Sequence, residues 1–246
     1  ATTAAWPVAL ATGQAAVVAG GSIHAWPAQQ ADGEVRLVLT ATDRAGNSAR
    51  AERPVVIDGT PPVAVLTRPV TGAAIRSELR VEGTASDANF LGYRIALAPA
   101  GGAAAGQFSD LFDGEAPVLS GPLFDAVLSR PEGEYLLRLT VEDRAGLATT
   151  ATVALRIDTE PPPAPTGLVA TPVDNRDVAL DWSDVPATDL AGYRIYRNGV
   201  PLATEPIQSA FRDALAPEGR LRYAVAAIDR AGNESPRSTP ADVVLD

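Results

Sequence analysis

The sequence predicts an all-β protein made of tandem antiparallel β-sandwiches. Its 246 residues are enough for two or three domains, and 46% of them are apolar, enough to build sizeable cores. Its 21 glycines and 21 prolines, without a long helical pattern, indicate short strands joined by turns. One hairpin signature also recurs at intervals of 100 and 86 residues, at Asp43, Asp143 and Asp229. That spacing is the length of a whole sandwich domain rather than of a solenoid repeat.

The recurring signature is a hydrophobic strand followed by Asp-Arg-Ala-Gly. In the second copy, apolar side chains occupy every other position from Tyr135 to Val141, which gives the strand one buried face. The carboxylate of Asp143 can accept backbone N–H bonds in an Asx-type turn, and Gly146 takes a positive φ at little cost. Each signature is therefore predicted to be a β-hairpin, with its aspartate as a turn residue.

Proline-rich connections follow the first two hairpins. The predicted return strands, 51–57 and 151–157, lead into proline pairs at 61–62 and 161–162. Proline has no N–H and fixes φ, so it ends strand pairing and stiffens the connection. We therefore expect short, stiff linkers between domains. The predicted domains are residues 1–60, 61–160 and 161–246.

The second domain shows a further series of strands before its hairpin. They are predicted at 63–66, 78–85, 91–98 and 121–128. The segment 99–117 is rich in alanine and glycine and is predicted to be a long loop.

The third domain carries a more specific set of residues. Trp182 ends an apolar strand, Gly-Tyr-Arg-Ile follows at 192–195, and Asn-Gly at 198–199 favours a type I′ hairpin. On these residues the segment 162–240 resembles a fibronectin type III domain, which implies a core position for Trp182. The chain departs from that family at Leu221, where its corner tyrosine usually stands, so the corner hydrogen bond is expected to be missing.

The first and second domains resemble bacterial immunoglobulin-like repeats, mainly in the hairpin and the linker. In the 100-residue register, residues 1–60 match only the second half of the second domain, and His24 falls on Phe124. The first three strands of a sandwich are then missing. We expect either that the sequence starts within a domain, or that another chain or a cleaved upstream segment supplies the strands by edge addition. The second alternative would allow self-assembly through the open first domain.

Composition excludes several classes of function. The net charge of −10 disfavours nucleic acid, because phosphate binding needs clustered basic residues. Every basic residue is arginine, so neither a Walker-type phosphate loop nor a Schiff-base lysine can form. Without cysteine there is no disulfide, thiolate zinc site or cysteine nucleophile. The sequence contains no run of 18 apolar residues, so insertion of a helix into a membrane is not expected.

No catalytic residue is predicted. His24 is the only histidine, and Ser22 lies close enough in sequence to sketch a catalytic triad. The register with Phe124, however, makes His24 an ordinary strand residue. We therefore predict that the chain is not an enzyme.

Two acidic groups are alternatives for calcium. Asp110, Asp113 and Glu115 surround Gly114, although their spacing does not follow the EF-hand pattern, and a solvated acidic loop is favoured. Asp58 and Asp158, the latter with Glu160, stand at domain junctions, where cadherin-like modules hold calcium. The acidic motifs of that family are absent here, so linker caps are favoured, and no cofactor is expected unless calcium binds.

The tryptophans suggest a further alternative. Trp6 and Trp26 could stack on a sugar, because aromatic faces suit carbohydrate contacts. Together these observations predict a non-catalytic structural or adhesive module of a large extracellular or cell-surface protein of bacterial type, acting as a spacer, stalk or fibre-forming element. The alternative is a glycan- or protein-binding accessory region of a secreted enzyme. The expected partners are other domains of the same protein, a second copy, or a glycan or surface protein.

Overall fold

The computed structural model describes residues 32–103, 106–174, 176–202, 205–214 and 216–245. Almost all of the regular structure in these residues is β-strand, which confirms the predicted class. No helix in them has the length and apolar character needed to cross a membrane. The chain divides into two compact units, Ala1–Thr60 and Pro61–Asp246, and each is described on its own.

Strands and one helical turn follow one another along the described residues. In the first unit the strands are β1 (Gly33–Thr42) and β2 (Ser48–Ile57). Next come β3 (Val63–Arg68), β4 (Ala73–Ile75), β5 (Glu78–Ser86), β6 (Phe90–Pro99), α1 (Ala100–Ala103), β7 (Ser109–Gly114), β8 (Val118–Val127), β9 (Gly133–Asp143) and β10 (Ala148–Ile157). The last group is β11 (Val169–Asp174), β12 (Asp177–Asp181), β13 (Leu190–Arg197), β14 (Val200–Pro201), β15 (Ala210–Asp213), β16 (Gly219–Asp229) and β17 (Ala241–Leu245).

The described part of the first unit is the hairpin β1–β2. Its strands pair antiparallel from Gly33 opposite Ile57 to Thr42 opposite Ser48, as the repeat predicts. The carboxylate of Asp32 accepts the Gly59 backbone N–H at 2.7 Å and the Thr60 hydroxyl at 2.5 Å. These two bonds, that of Thr60 foremost, lower the pKa of Asp32.

The strands β3 to β10 form a complete sandwich, named the second sandwich after the second predicted domain, from the sheets β3-β5-β8 and β4-β10-β9-β6-β7. The inward positions of its strands alternate with solvent-facing ones, as expected for sheets that bury one face. Leu79, Ile95, Leu137, Leu139 and Leu155 lie at its centre, fully buried.

The prediction of one long loop over 99–117 is wrong. The segment begins with the single turn α1 and then forms β7, which pairs antiparallel with the edge of β6. The main-chain bonds of β6 stabilise this strand. The local sequence gives little sign of it, because β7 contains two aspartates and ends at a glycine, residue types that are uncommon in strands.

The last sandwich packs the sheet β11-β12-β15 against β14-β13-β16-β17. Trp182 is 3% exposed and meets the buried ring of Tyr193 edge-on at 5.1 Å, which confirms its predicted core position. Between β13 and β14, Asn198 and Gly199 both have positive φ, 52° and 84°, as a type I′ turn requires. Leu221 is a buried core residue.

Candidate functional site

The Asp-Arg-Ala-Gly turns place one carboxylate at the end of each hairpin strand. The Oδ1 atom of Asp229 accepts the Asn233 backbone N–H at 2.8 Å, and Asp143 accepts that of Leu147 at 2.9 Å. Asp43 accepts the N–H four residues further on in the same way, at 2.9 Å. The three aspartates are therefore turn residues, as predicted.

One of these turns takes part in a larger carboxylate group, the acidic junction, defined as Asp158, Asp189 and Asp229. A carboxylate oxygen from each lies within 4.8 Å of those of the other two. Asp158 follows β10 and starts the linker, Asp189 precedes β13, and Asp229 ends β16. Because β13 and β16 pair antiparallel with Leu190 opposite Asp229, the start of one strand lies beside the end of the other. The junction thus joins the linker to the last sandwich.

The acidic junction is largely closed to solvent. Asp158 is 3% exposed and Asp229 is 2% exposed, while Asp189 is half-buried. The guanidinium of Arg156 lies 3.6 Å from Asp158 but is shared with Glu132, at 3.0 Å. Burial is the main cause that raises the pKa of Asp158, and both neighbouring carboxyl groups act in the same direction. The backbone N–H of Glu160 and the Arg156 charge oppose this rise.

Asn233 connects two members of the acidic junction. Its Nδ2 group donates to the backbone carbonyl of Asp158 and to the carboxylate of Asp229, both at 2.9 Å. The residue is 1% exposed, and within the described part of the chain its Oδ1 atom has no hydrogen-bond partner. A side chain of the last sandwich therefore holds the linker directly.

The three predicted calcium candidates lie elsewhere, on the second sandwich. Asp110 and Asp113 are on β7 and Glu115 follows it, so they are not on the predicted solvated loop. Arg94 Nε lies 2.7 Å from Asp113 and 3.5 Å from Asp110, and these carboxylates raise the pKa of Arg94. Asp113 and Glu115 also line a shallow depression of about 260 Å³. Calcium binding by these three residues stays a prediction.

Asp58 and Asp158 cap the linkers, as predicted. Asp58 accepts the backbone N–H of Thr60 at 3.1 Å, and Asp158 accepts that of Glu160 at 3.2 Å. Sequence reasoning did not find Asp189 as the neighbour of Asp158. The signal that could have found it is the register of the strands: pairing the strand after Asp189 with the strand that ends at Asp229 brings both residues to one edge.

The remaining candidates fall outside the described residues. They are His24, Trp6 and Trp26, and the prediction that the first domain lacks its first three strands concerns the same part of the chain. Of the three tryptophans, Trp182 alone lies in the described part, and its burial in the core removes it from a sugar-binding platform.

Comparisons with known proteins find relatives that share a short stretch of sequence with this chain. No family model matches the sequence. A stretch of 89 residues is 36% identical to the chitinase Chi52 of Paenibacillus xylanexedens, covering 35% of this chain and 17% of that enzyme. A stretch of 87 residues is 40% identical to an alpha-amylase of Niallia circulans, covering 34% of this chain and 7% of the enzyme. The matches thus span only a small part of either relative.

A solved structure matches over most of the chain. The FN1–FN3 domains of chicken CNTN1 superpose with a TM-score of 0.50 and 16% identity, over 84% of this chain and 76% of that one. At this identity the likeness concerns the fold alone. The fold is that of the fibronectin type III and immunoglobulin-like β-sandwiches.

Proposed function

We propose that this chain is a non-catalytic spacer within a larger secreted enzyme that degrades a polysaccharide. The two relatives above are named as a chitinase and an alpha-amylase, and this chain matches only a short stretch of each. That pattern is expected when a module is shared between enzymes whose catalytic domains differ. The accessory alternative predicted from sequence is therefore favoured over an adhesive or fibre-forming role.

The observation that carries the spacer role is that the linker between the two sandwiches of the second unit is partly buried and hydrogen-bonded to the last sandwich. Asp158 and Pro162 in this linker are buried. Its main chain also accepts a hydrogen bond from Asn233 of the last sandwich. A free linker would be exposed and unbonded, and would let its domains reorient. A buried and hydrogen-bonded linker instead keeps the two sandwiches, and any domains joined to them, at a constant separation.

The arrangement of carboxylates also favours a non-catalytic role. Glycoside hydrolysis needs two carboxyl groups on opposite sides of a sugar ring. In the acidic junction, Asp158 and Asp229 are almost inaccessible, so a sugar ring does not reach them. Asp110 and Asp113 are accessible, but both are ion-paired with Arg94 on the same sheet.

Two experiments test this proposal. The purified chain is incubated with colloidal chitin, soluble starch and cellulose, and released reducing sugar is measured. No release is expected, and hydrolysis of any of the three would overturn the non-catalytic assignment. The coding region on both sides is then sequenced. A glycoside hydrolase domain in the same reading frame is expected, whereas a wall anchor without any hydrolase would favour the structural or adhesive role predicted from sequence.

A further inference from the structure

We propose that the acidic junction, together with the amide of Asn233, binds a divalent cation of the calcium class. The inference concerns a different property from the spacer role and does not depend on it. It rests on the charge of the junction, on a buried oxygen without a partner, and on the types of ligand atom present.

The first observation is an imbalance of charge in a place that water hardly reaches. Three carboxylates approach within 4.8 Å of one another, and two of them are almost fully buried. In the described part of the chain, the ion pairs of this group reach Asp158, through Arg156, but neither Asp189 nor Asp229. Like charges at this distance in a poorly solvated place repel strongly. Such a group is stable only if it holds a proton or a cation.

The second observation comes from Asn233, which is not a carboxylate. Its amide group lies against both Asp158 and Asp229, and its Oδ1 atom is buried without a donor. A buried polar atom without a partner costs roughly 1–3 kcal/mol, so such atoms call for an explanation. The two Nδ2 bonds describe the chain without a cation. With a cation bound, a half-turn of the amide would bring Oδ1 beside the Asp158 carbonyl and the Asp229 carboxylate, so that three oxygens converge on the ion. The ion would then replace the Nδ2 bonds in holding the linker.

The ligand atoms select the class of cation. Carboxylate, carbonyl and amide oxygens are the ligands that calcium takes, usually six to eight of them in irregular geometry. Oxygens on opposite sides of a calcium ion lie roughly 4.6–5.2 Å apart, which follows from Ca–O distances of about 2.3–2.6 Å. The carboxylate oxygens, which lie within 4.8 Å of one another, are therefore close enough to bind one such ion together. The junction offers neither sulfur nor imidazole nitrogen, the ligands that would favour zinc.

The test uses the full chain of 246 residues, dialysed first against a chelator. Thermal unfolding is followed with and without about 5 mM CaCl₂, and calcium binding is measured by calorimetry. For a dissociation constant of about 0.1 mM, typical of extracellular modules, the Tm is expected to rise by roughly 5 °C or more. The variant Asp189→Asn should bind calcium at least ten-fold more weakly and lose most of this rise.

Two controls make the result specific. Asp113→Asn removes an exposed carboxylate on β7 and should keep the calcium-dependent rise in full. Thermal unfolding of Asp189→Asn in chelator checks that this variant folds. We expect that it does, because the half-buried site accepts an amide of the same shape as the carboxylate. The proposal is overturned by a wild type without a calcium response, by a rise that survives in Asp189→Asn, or by one that is lost in Asp113→Asn. An equal rise with MgCl₂ would overturn the assignment to calcium.

Discussion

In the second sandwich and in the last one, which is the third sandwich of the predicted series, a central strand ends with Asp-Arg-Ala-Gly, and the two differ in the residue that follows. Leu147 follows the second copy and Asn233 the third. Both aspartates are buried, Asp143 at 1% exposure. The Nδ2 group of Asn233 donates to Oδ2 of Asp229 at 2.9 Å, whereas Oδ2 of Asp143 has no hydrogen-bond partner within the described residues. The four shared residues make the turn, and the fifth decides whether its carboxylate is satisfied.

A second difference between the two sandwiches lies at the neighbouring strand start. The backbone N–H of Arg144 donates to the carbonyl of Asn89, and that of Arg230 donates to the carbonyl of Asp189, both at 2.9 Å. The main chain is therefore bonded alike in both places. The side chain at this position is neutral in the second sandwich and acidic in the third, which gives the acidic junction its third carboxylate.

The largest effect is expected from Asn233→Leu, which gives the third turn the residue of the second. The change leaves the Asp158 carbonyl and one Asp229 oxygen buried without a donor. The free energy of unfolding in chelator should fall by about 2–4 kcal/mol, as measured by urea denaturation. The matched control is Asn47→Leu, because Asn47 donates to Asp43 in an exposed turn, and it should cost about 1 kcal/mol or less. Equal losses would show that burial of the third turn is not what matters.

A smaller difference is expected at the glycines that stand in the same place in the two sandwiches. A Cβ atom at Gly192 would lie 2.8 Å from the backbone oxygen of Pro206, but one at Gly92 would lie 3.2 Å from that of Gly114. Gly192→Ala should therefore destabilise by about 1–3 kcal/mol, because backbone must move, and Gly92→Ala by less. Chemical denaturation of the two variants checks this order. A greater loss from Gly92→Ala would contradict it.

The reverse exchange, Leu147→Asn, should improve the second turn. An asparagine there can donate to the unpartnered oxygen of Asp143 as Asn233 does to Asp229. The expected gain is about 1 kcal/mol in the free energy of unfolding, the net value of one hydrogen bond. Leu147→Ala is the control, since it removes the same side chain without adding a donor. If the asparagine variant is no more stable than the alanine variant, the missing donor is not the cause.

The same contrast explains which features could be predicted from the sequence. The first two hairpins, the core position of Trp182 and the type I′ turn depend on local patterns, and each was confirmed. The strand β7 was missed because pairing with β6, rather than its own composition, stabilises it. The acidic junction was missed because Asp189 belongs to no local motif. It becomes part of a site only when the strands β13 and β16 pair.

The smallest effect is expected from Asp189→Asn in chelator, which makes the third sandwich match Asn89 of the second. Removing one of three close carboxylates should stabilise the fold by about 0.5–1 kcal/mol at neutral pH. The sign changes with pH in a defined way. The pKa of Asp158 is raised in the folded state above its ordinary value of 3.8, so the folded state binds more protons than the unfolded one there.

The acidic junction therefore costs stability as the pH rises above 3.8, and it costs least in acid, where a proton is shared. The advantage of Asp189→Asn over the wild type should accordingly be small near pH 4 and grow toward pH 7. Urea denaturation of both proteins across this range, in chelator, measures that difference. Added calcium should reverse it at pH 7, because the cation then stabilises the wild type alone. An advantage that is constant with pH would mean that repulsion among these carboxylates does not limit the stability of the fold.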